Sequence, residues 1–417
     1  MPRLQINAQR LRSTLVELAK IGGEPEGGVT RLAYSQEEAQ ARTWIIDRLA
    51  EIGLAARLDA VGNVRAVRAG QTNAPTIMIG SHVDTVPHGG RFDGAAGTIA
   101  ALEVMRTVQE ANLSTTRPIE FVVFAAEESP RFQAGNRFGS RAMAGQVTAE
   151  DAFRLVDDKG ITLGAAMQAV GLDPVQLERA RRTVGEIAAF IELHIEQGTI
   201  LAEANSPVGI VTRVIGTRRY RIELTGRADH SGGTPMGARR DALAAAAEVV
   251  LAVEKIANGI GGSLVGTVTT LQVEPNAMNV VPGQTVLGID LRALEVSELD
   301  AASEQILETV NTISQRRRIQ PCVQLLRDTA PISLSERIQA VLQTAAARAA
   351  IPVRLVPSHT GHDAISLNDL TDTGMIFVRN PTGQSHSPAE SVEWSDYAAA
   401  TQLLLESVLL LAENSNA

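Results

Sequence analysis

The 417-residue sequence predicts an α/β protein in which a smaller sheet-and-helix unit is inserted into a larger, discontinuous one. Three observations carry that prediction. Short apolar runs end abruptly in polar residues, as buried strands of an open sheet do. Helical segments separate some of these runs. Between 212 and 329 the pattern changes to alternating strands and two long helices, and the first pattern resumes only afterwards. At ~150 residues per domain the length suits two or three domains with a sizeable core.

The elements follow in order. Ser35-Gln-Glu-Glu38 reads as a capping box, Trp44, Ile45, Leu49 and Ile52 continue at helical spacing, and Gly53 stops the helix. Thr76–Ile79 is a strand running into Gly80-Ser-His82, and a helix is predicted over 95–112. Ile119–Phe124 runs into Ala125-Ala-Glu127-Glu128, Phe190–Leu193 into His194, and Met375–Val378 into a loop carrying His386. In open α/β sheets the ligand crevice lies beyond the carboxyl ends of the strands. Each of these four strands delivers a metal-capable residue at or beyond that end.

The middle segment reads as strand Val214–Leu224, helix Pro235–Ile256, strands Leu264–Val273 and Gln284–Leu294, helix Ser297–Arg316 and strand Cys322–Leu326. That βαββαβ order predicts a four-stranded, ferredoxin-like sheet covered by two helices. Residues 1–211 and 330–417 then form one discontinuous domain, and 212–329 the insertion.

Composition narrows the function. Lys+Arg (38) against Asp+Glu (47) leaves a net charge of −9, with 44% hydrophobic and 20% charged residues. An acidic balance without a basic block argues against nucleic-acid or anionic-membrane partners. A single cysteine, Cys322, excludes a disulfide framework and a cysteine-built zinc site. Residues 1–10 contain no apolar signal core, and no apolar run approaches the roughly 18 residues of a membrane span. A cytoplasmic protein is expected.

The chemistry concentrates in a few polar residues. His82 lies in Gly80-Ser-His-Val-Asp84, where Asp84, two residues on, could orient its ring. Asp93, in Phe92-Asp-Gly94, could bridge two cations, one on each oxygen. Adjacent carboxylates Glu127 and Glu128 at the end of an apolar strand are costly unless solvated or paired with cations. Neighbours in a regular strand face opposite sides, so the pair must sit where the strand breaks; one could bind metal while the other takes a proton from water. With His194 and His386 this makes a nitrogen–oxygen donor set without thiolate, suited to Zn²⁺, Mn²⁺, Co²⁺ or Ni²⁺.

The motifs resemble the dinuclear metal aminoacylase/carboxypeptidase superfamily, and more closely its hydantoinase/carbamoylase amidases. That branch holds N-carbamoyl-L-amino acid hydrolases, β-ureidopropionases and allantoate amidohydrolases. The matching stretches include Gly80–Asp84, Phe92–Gly94, Glu127–Phe132, His194–Gly198, His230–Met236, Asn279–Pro282, Asp290–Arg292, Gly361–Ala364 and Ser385–Glu390. They span nearly the whole chain in family order.

The resemblance implies a mixed-sheet aminopeptidase/carboxypeptidase-like catalytic domain whose insertion serves as lid and dimerisation domain. It implies two divalent ions, one on His82, Asp93 and His194, the other on Asp93, Glu128 and His386. Glu127 would be the general base. His230 would polarise the scissile carbonyl, often from the partner subunit of a homodimer, alongside Asn279. Arg292 would hold the substrate carboxylate, and Gln197 and His362 would meet the ureido group. Peptidase members of the superfamily typically carry a carboxylate where this chain has His194, which favours the carbamoylase branch. The chain departs from the common Ser-Gly-Ala-Gly-His-Asp-Ala at Ser358-His-Thr-Gly-His-Asp-Ala364, with bulkier, polar His359 and Thr360. The expected reaction is hydrolysis of the carbamoyl C–N bond of an N-carbamoyl-L-amino acid or related ureido acid. Allantoate is the nearest rival substrate; a dipeptidase or aminoacylase is more distant.

Overall fold

A computed structural model describes residues 4–128, 130–132 and 136–413; Met1–Arg3 of the opening segment and Ser129 of the Glu127–Phe132 motif lie outside them. The chain divides into two compact units, residues 1–212 with 334–417, and residues 213–333. The return crossing falls at 333 rather than 329.

The larger unit is built on a nine-stranded mixed sheet. Its order is Ala56–Leu58, Val64–Arg68, Ile119–Phe124, Thr76–His82, Ile187–Ile195, Thr373–Val378, Val208–Val214 and Ile332–Ser333, with Val353–Ser358 also paired to Val208–Val214. The central four strands, from Ile119–Phe124 to Thr373–Val378, are mutually parallel. They are buried along almost their whole length, which is why they read as continuous apolar runs. Helix Ala95–Glu110 covers the sheet and is buried on nearly all sides. Helix Trp394–Glu413 packs beside it, with Tyr397 donating its hydroxyl to the Ala96 carbonyl at 2.7 Å.

Helix Gln36–Ala50 starts where predicted, but only half of the capping box forms. Ser35 Oγ accepts the Glu38 N–H at 3.2 Å, whereas the Glu38 carboxylate turns inward to pair with Arg42 at 2.9 Å. Both Glu38 and Arg42 are buried, and burial favours a paired charge over a return bond to the helix start.

The smaller unit has a four-stranded antiparallel sheet, ordered Gln320–Thr329, Gly216–Thr225, Gln284–Ala293, Val265–Glu274. Helices Ala242–Ile260 and Val296–Arg317 cover one face, where Ile222, Leu287, Ile289 and Leu291 meet Val249, Val253, Ile306 and Val310. The first helix begins at Ala242, not Pro235. Asp241 accepts the Ala244 N–H at 2.9 Å and makes the stronger start signal, leaving Met236–Ala238 as a separate 3₁₀ turn. A two-stranded ribbon, Asp229–His230 with Val280–Val281, was not anticipated; two residues per strand are too short to show a pattern. No helix among the described residues is long and apolar enough to cross a membrane.

Candidate metal centre

The four parallel strands bring their carboxyl ends to one edge, and the predicted ligands gather there. His82 is the last residue of its strand, and His194 the next-to-last of Ile187–Ile195. Glu127 and Glu128 follow Ile119–Phe124, and His386 lies in the loop after Thr373–Val378. Ala126 has a left-handed φ of 54°, which ends the strand's alternation and lets two successive carboxylates face the same edge. His386 is also left-handed, with φ 55°. Such backbone persists only where its surroundings hold it, as at ligand clamps.

Both buried histidines present the same nitrogen. His82 Nδ1 bonds the Asp84 carbonyl at 3.1 Å, and His194 Nδ1 bonds the Ile195 carbonyl at 3.0 Å. A carbonyl only accepts, so each ring carries a proton on Nδ1 and turns Nε2 inward. Here the expected role of Asp84 changes. Its main chain, not its carboxylate, orients His82; the carboxylate lies 3.6 Å from the ring. The carboxylate instead accepts the N–H groups of Glu127 and Glu128, at 3.1 and 2.9 Å, and so fixes the acidic pair.

Asp93 lies at the centre of the arrangement. Its Oδ1 is 3.6 Å from His82 Nε2 and 3.1 Å from His194 Nε2. Its Oδ2 is 3.3 Å from His386 Nε2, which is 3.1 Å from Glu128 Oε1. Ligands held tetrahedrally at about 2.1 Å from an ion lie roughly 3.4 Å from one another. These four separations lie near that edge length, and within each group all the ligand atoms lie within 4.8 Å of one another. His82–Asp93–His194 and Asp93–Glu128–His386 are therefore two adjoining groups that could each hold a metal ion, and they share one carboxylate. Glu127 makes neither set but stands beside the first, its Oε2 3.9 Å from His82 Nε2.

The electrostatics call for cations. Burial, then the Glu128, Asp363 and Asp84 carboxylates, push Glu127 well above the usual carboxylate range. Burial also lowers the His82 imidazole to about 4. His194 behaves oppositely: burial opposes its charge, but the Asp93 carboxylate outweighs it and raises the imidazole to about 9. Hydrogen bonds to Asp93 and Glu128 raise His386 to about 11. Without cations, protons on His194 and His386 balance the carboxylates, and metal must displace them. Metal affinity should therefore rise with pH between 6 and 9, with proton release on binding. Calorimetry in buffers of differing ionisation enthalpy measures both; affinity independent of pH would contradict this charge arrangement.

Other predicted residues lie around this cluster. The Gln197 side-chain amide donates to Asp93 Oδ2 at 2.8 Å and to Ser385 Oγ at 3.1 Å, so here it supports the shared carboxylate. His362 is buried edge-on against His194, with ring centroids 4.6 Å apart. Its Nε2 lies 2.8 Å from Ser358 Oγ and 3.1 Å from Thr360 Oγ1, so the unusual Thr360 bears directly on this ring.

Two supporting residues escaped the sequence reading. Buried Glu390 accepts the N–H groups of Phe92 and Asp93 at 2.8 and 2.9 Å, and Ser385 Oγ bonds both Glu390 and Asp93, tying the Asp93 and His386 loops together. Glu192 accepts from Ser81 Oγ and the Ala364 N–H, both at 2.9 Å. Glu192 was findable, since it lies two residues before His194 on the same side of a strand.

The remaining three predicted residues belong to the smaller unit. His230 and Asn279 stand side by side at the ribbon, where Ser231 N–H donates to the Asn279 carbonyl at 3.0 Å. His230 Nδ1 accepts the N–H groups of Gly232 and Gly233 at 3.0 and 2.9 Å. Arg292 is not with them. It lies near the far end of strand Gln284–Ala293, where Asp290 accepts from its Nε at 3.1 Å and its Nη2 at 3.3 Å.

Residues 78–409 match Peptidase family M20/M25/M40. The chain belongs to that family. Within it, the chain is 39% identical to an N-carbamoyl-L-amino acid amidohydrolase of Geobacillus stearothermophilus, over 98% of this chain and 99% of the relative. An Escherichia coli allantoate amidohydrolase is 33% identical over 95% of this chain and 96% of its own. The crystal structure of a hydantoinase/carbamoylase family amidase from Burkholderia multivorans superposes with a TM-score of 0.88 at 33% identity, covering 99% of each chain. This M20-family chain is thus a hydantoinase/carbamoylase-type amidase, a metal-dependent hydrolase of C–N bonds.

Proposed function

We propose that the chain hydrolyses the carbamoyl C–N bond of an N-carbamoyl-L-amino acid, using two divalent cations drawn from Zn, Mn, Co or Ni. The observation that carries this reading is Asp93, which offers one oxygen to each of two ligand sets at tetrahedral edge distances. The similarity to N-carbamoyl-L-amino acid amidohydrolases supports the substrate class.

When bound, the cations supply Lewis-acid polarisation and lower the pKa of the attacking water. Glu127 takes the proton of that water as its oxygen adds to the carbamoyl carbon. His230 donates from Nε2 to the oxygen on which negative charge develops. The bond to the amino-acid nitrogen then breaks, and Glu127 returns the proton to the leaving amine. The products are the free amino acid and carbamate, which decomposes to ammonia and carbon dioxide.

Arg292 is proposed to hold the substrate carboxylate with its planar fork, and Asn279 to assist beside His230. Gln197 and His362 would meet the ureido group. One copy of the smaller unit does not readily supply both ends of so small a substrate. From Gln284, at the ribbon end, to Arg292 the extended strand spans roughly 26 Å. A homodimer, in which His230 and Asn279 come from one subunit and Arg292 from the other, resolves the distance. Exposed Val265, Leu271, Val323 and Leu325 on the sheet of this unit support dimerisation there. The proposed compartment is the cytoplasm, with no nucleic-acid or membrane partner.

Lysine cannot imitate a bidentate guanidinium–carboxylate pair. Arg292→Lys should raise KM and cost roughly 1.5–3 kcal/mol in kcat/KM for a carboxylate substrate. It should cost far less when that carboxylate is amidated; equal losses on acid and amide would make Arg292 structural.

A second reading, hydrolysis of allantoate, is favoured by the E. coli relative. Ammonia release from N-carbamoyl-L-amino acids, β-ureidopropionate and allantoate separates the two. The highest kcat/KM should fall on an N-carbamoyl-L-amino acid. Cleavage of dipeptides or N-acyl amino acids with no ureido substrate turned over would refute the proposal.

A further inference from the structure

We propose that Arg239 is a positioning residue that fixes His230 as its Nε2–H tautomer; the consequence for rate rests on the role proposed for His230 above. Three features of the 230–239 segment carry this.

The first is the ring's environment. The Gly232 and Gly233 N–H groups donate to His230 Nδ1 at 3.0 and 2.9 Å. Backbone N–H groups only donate, so Nδ1 must present its lone pair and the neutral ring carries its proton on Nε2. The ring then offers a donor at its outer nitrogen.

The second is the closure of the turn. Thr234 N–H donates to the His230 carbonyl at 3.0 Å, and His230 N–H to Asp229 Oδ1, also at 3.0 Å. Arg227 pairs with the other oxygen of Asp229 at 2.8 Å. These bonds hold the start of the turn, and none of them involves the Ser231 carbonyl.

The third is Arg239. Its Nη2 donates to the Ser231 carbonyl and its Nε to the Thr234 carbonyl, the latter at 3.1 Å. The Ser231 carbonyl and the Gly232 N–H belong to one planar peptide and point in opposite directions. Drawing the carbonyl onto the guanidinium therefore aims the N–H at His230 Nδ1, and polarises it as a donor. The rigid fork of arginine reaches both carbonyls at once; an ammonium is a point charge that does not reproduce it. Arg239 is half-buried.

The test uses full-length protein with ¹⁵N-labelled imidazoles, and long-range ¹H–¹⁵N correlation to read the tautomer of His230, assigned by comparison with His230→Gln. The unsubstituted protein should show Nε2 protonated and Nδ1 bare. Arg239→Met should give a mixture of tautomers at His230. It should also lower kcat about tenfold, a fraction of the 10²–10³ lost when an oxyanion donor is removed outright. KM and metal content should be unchanged, and Arg239→Lys should recover part of the loss. A pure Nε2–H ring in both Arg239 variants, or an Nδ1–H ring in the unsubstituted protein, would overturn the proposal. A tautomer mixture in Arg239→Met with kcat unchanged would uphold the positioning and instead refute the catalytic role of His230.

Discussion

Glu127→Gln should lower turnover at least ~10²-fold, the usual scale for a positioned general base, while leaving metal content unchanged. The amide keeps the size of the side chain and the main-chain bond to Asp84, so geometry is preserved and only the proton acceptor is lost. Glu128→Gln should act differently. Glu128 Oε1 lies 3.1 Å from His386 Nε2 within a ligand set, so weakening it should reduce occupancy of one ion. Metal analysis beside steady-state kinetics separates the two. Loss of metal with the Glu127 change alone would reverse the assignment.

The second large effect concerns His230. Removing an oxyanion donor costs ~10²–10³ in kcat, so His230→Ala should fall in that range with metal binding intact. The separation of the His230 ribbon from Arg292 adds a sharper expectation. If the ribbon acts on the partner subunit's substrate, mixing inactive His230→Ala and Glu127→Gln protomers should restore activity, because one composite centre in each heterodimer is then intact. No recovery after verified subunit exchange would confine His230 to its own subunit or remove it from the reaction.

Much of this centre was legible in the sequence, for physical reasons. An apolar strand that ends in His82, or in Glu127 and Glu128, puts costly polar groups where only a ligand site justifies them. The need for a strand break at the acidic pair was also readable, and the left-handed Ala126 provides it. What stayed hidden depends on backbone detail or on distant partners. Whether Asp84 orients His82 through carbonyl or carboxylate is decided by local dihedral angles that spacing does not encode. Glu390 braces Phe92 and Asp93 across almost 300 residues of sequence, a contact created only by the fold. Glu38 satisfied a capping pattern, yet burial beside Arg42 claimed its side chain. The carboxylate role of Arg292 came from resemblance alone; in the structure the same guanidinium is braced by Asp290.

Two ions sharing Asp93 are proposed to make this chain a ureido C–N hydrolase. The most direct measurement is ammonia release from an N-carbamoyl-L-amino acid by rigorously chelated protein, titrated with Mn²⁺, Co²⁺, Ni²⁺ or Zn²⁺. On this reading no ammonia is released without metal, and activity saturates at two equivalents per chain. Full activity in the metal-free protein would contradict it.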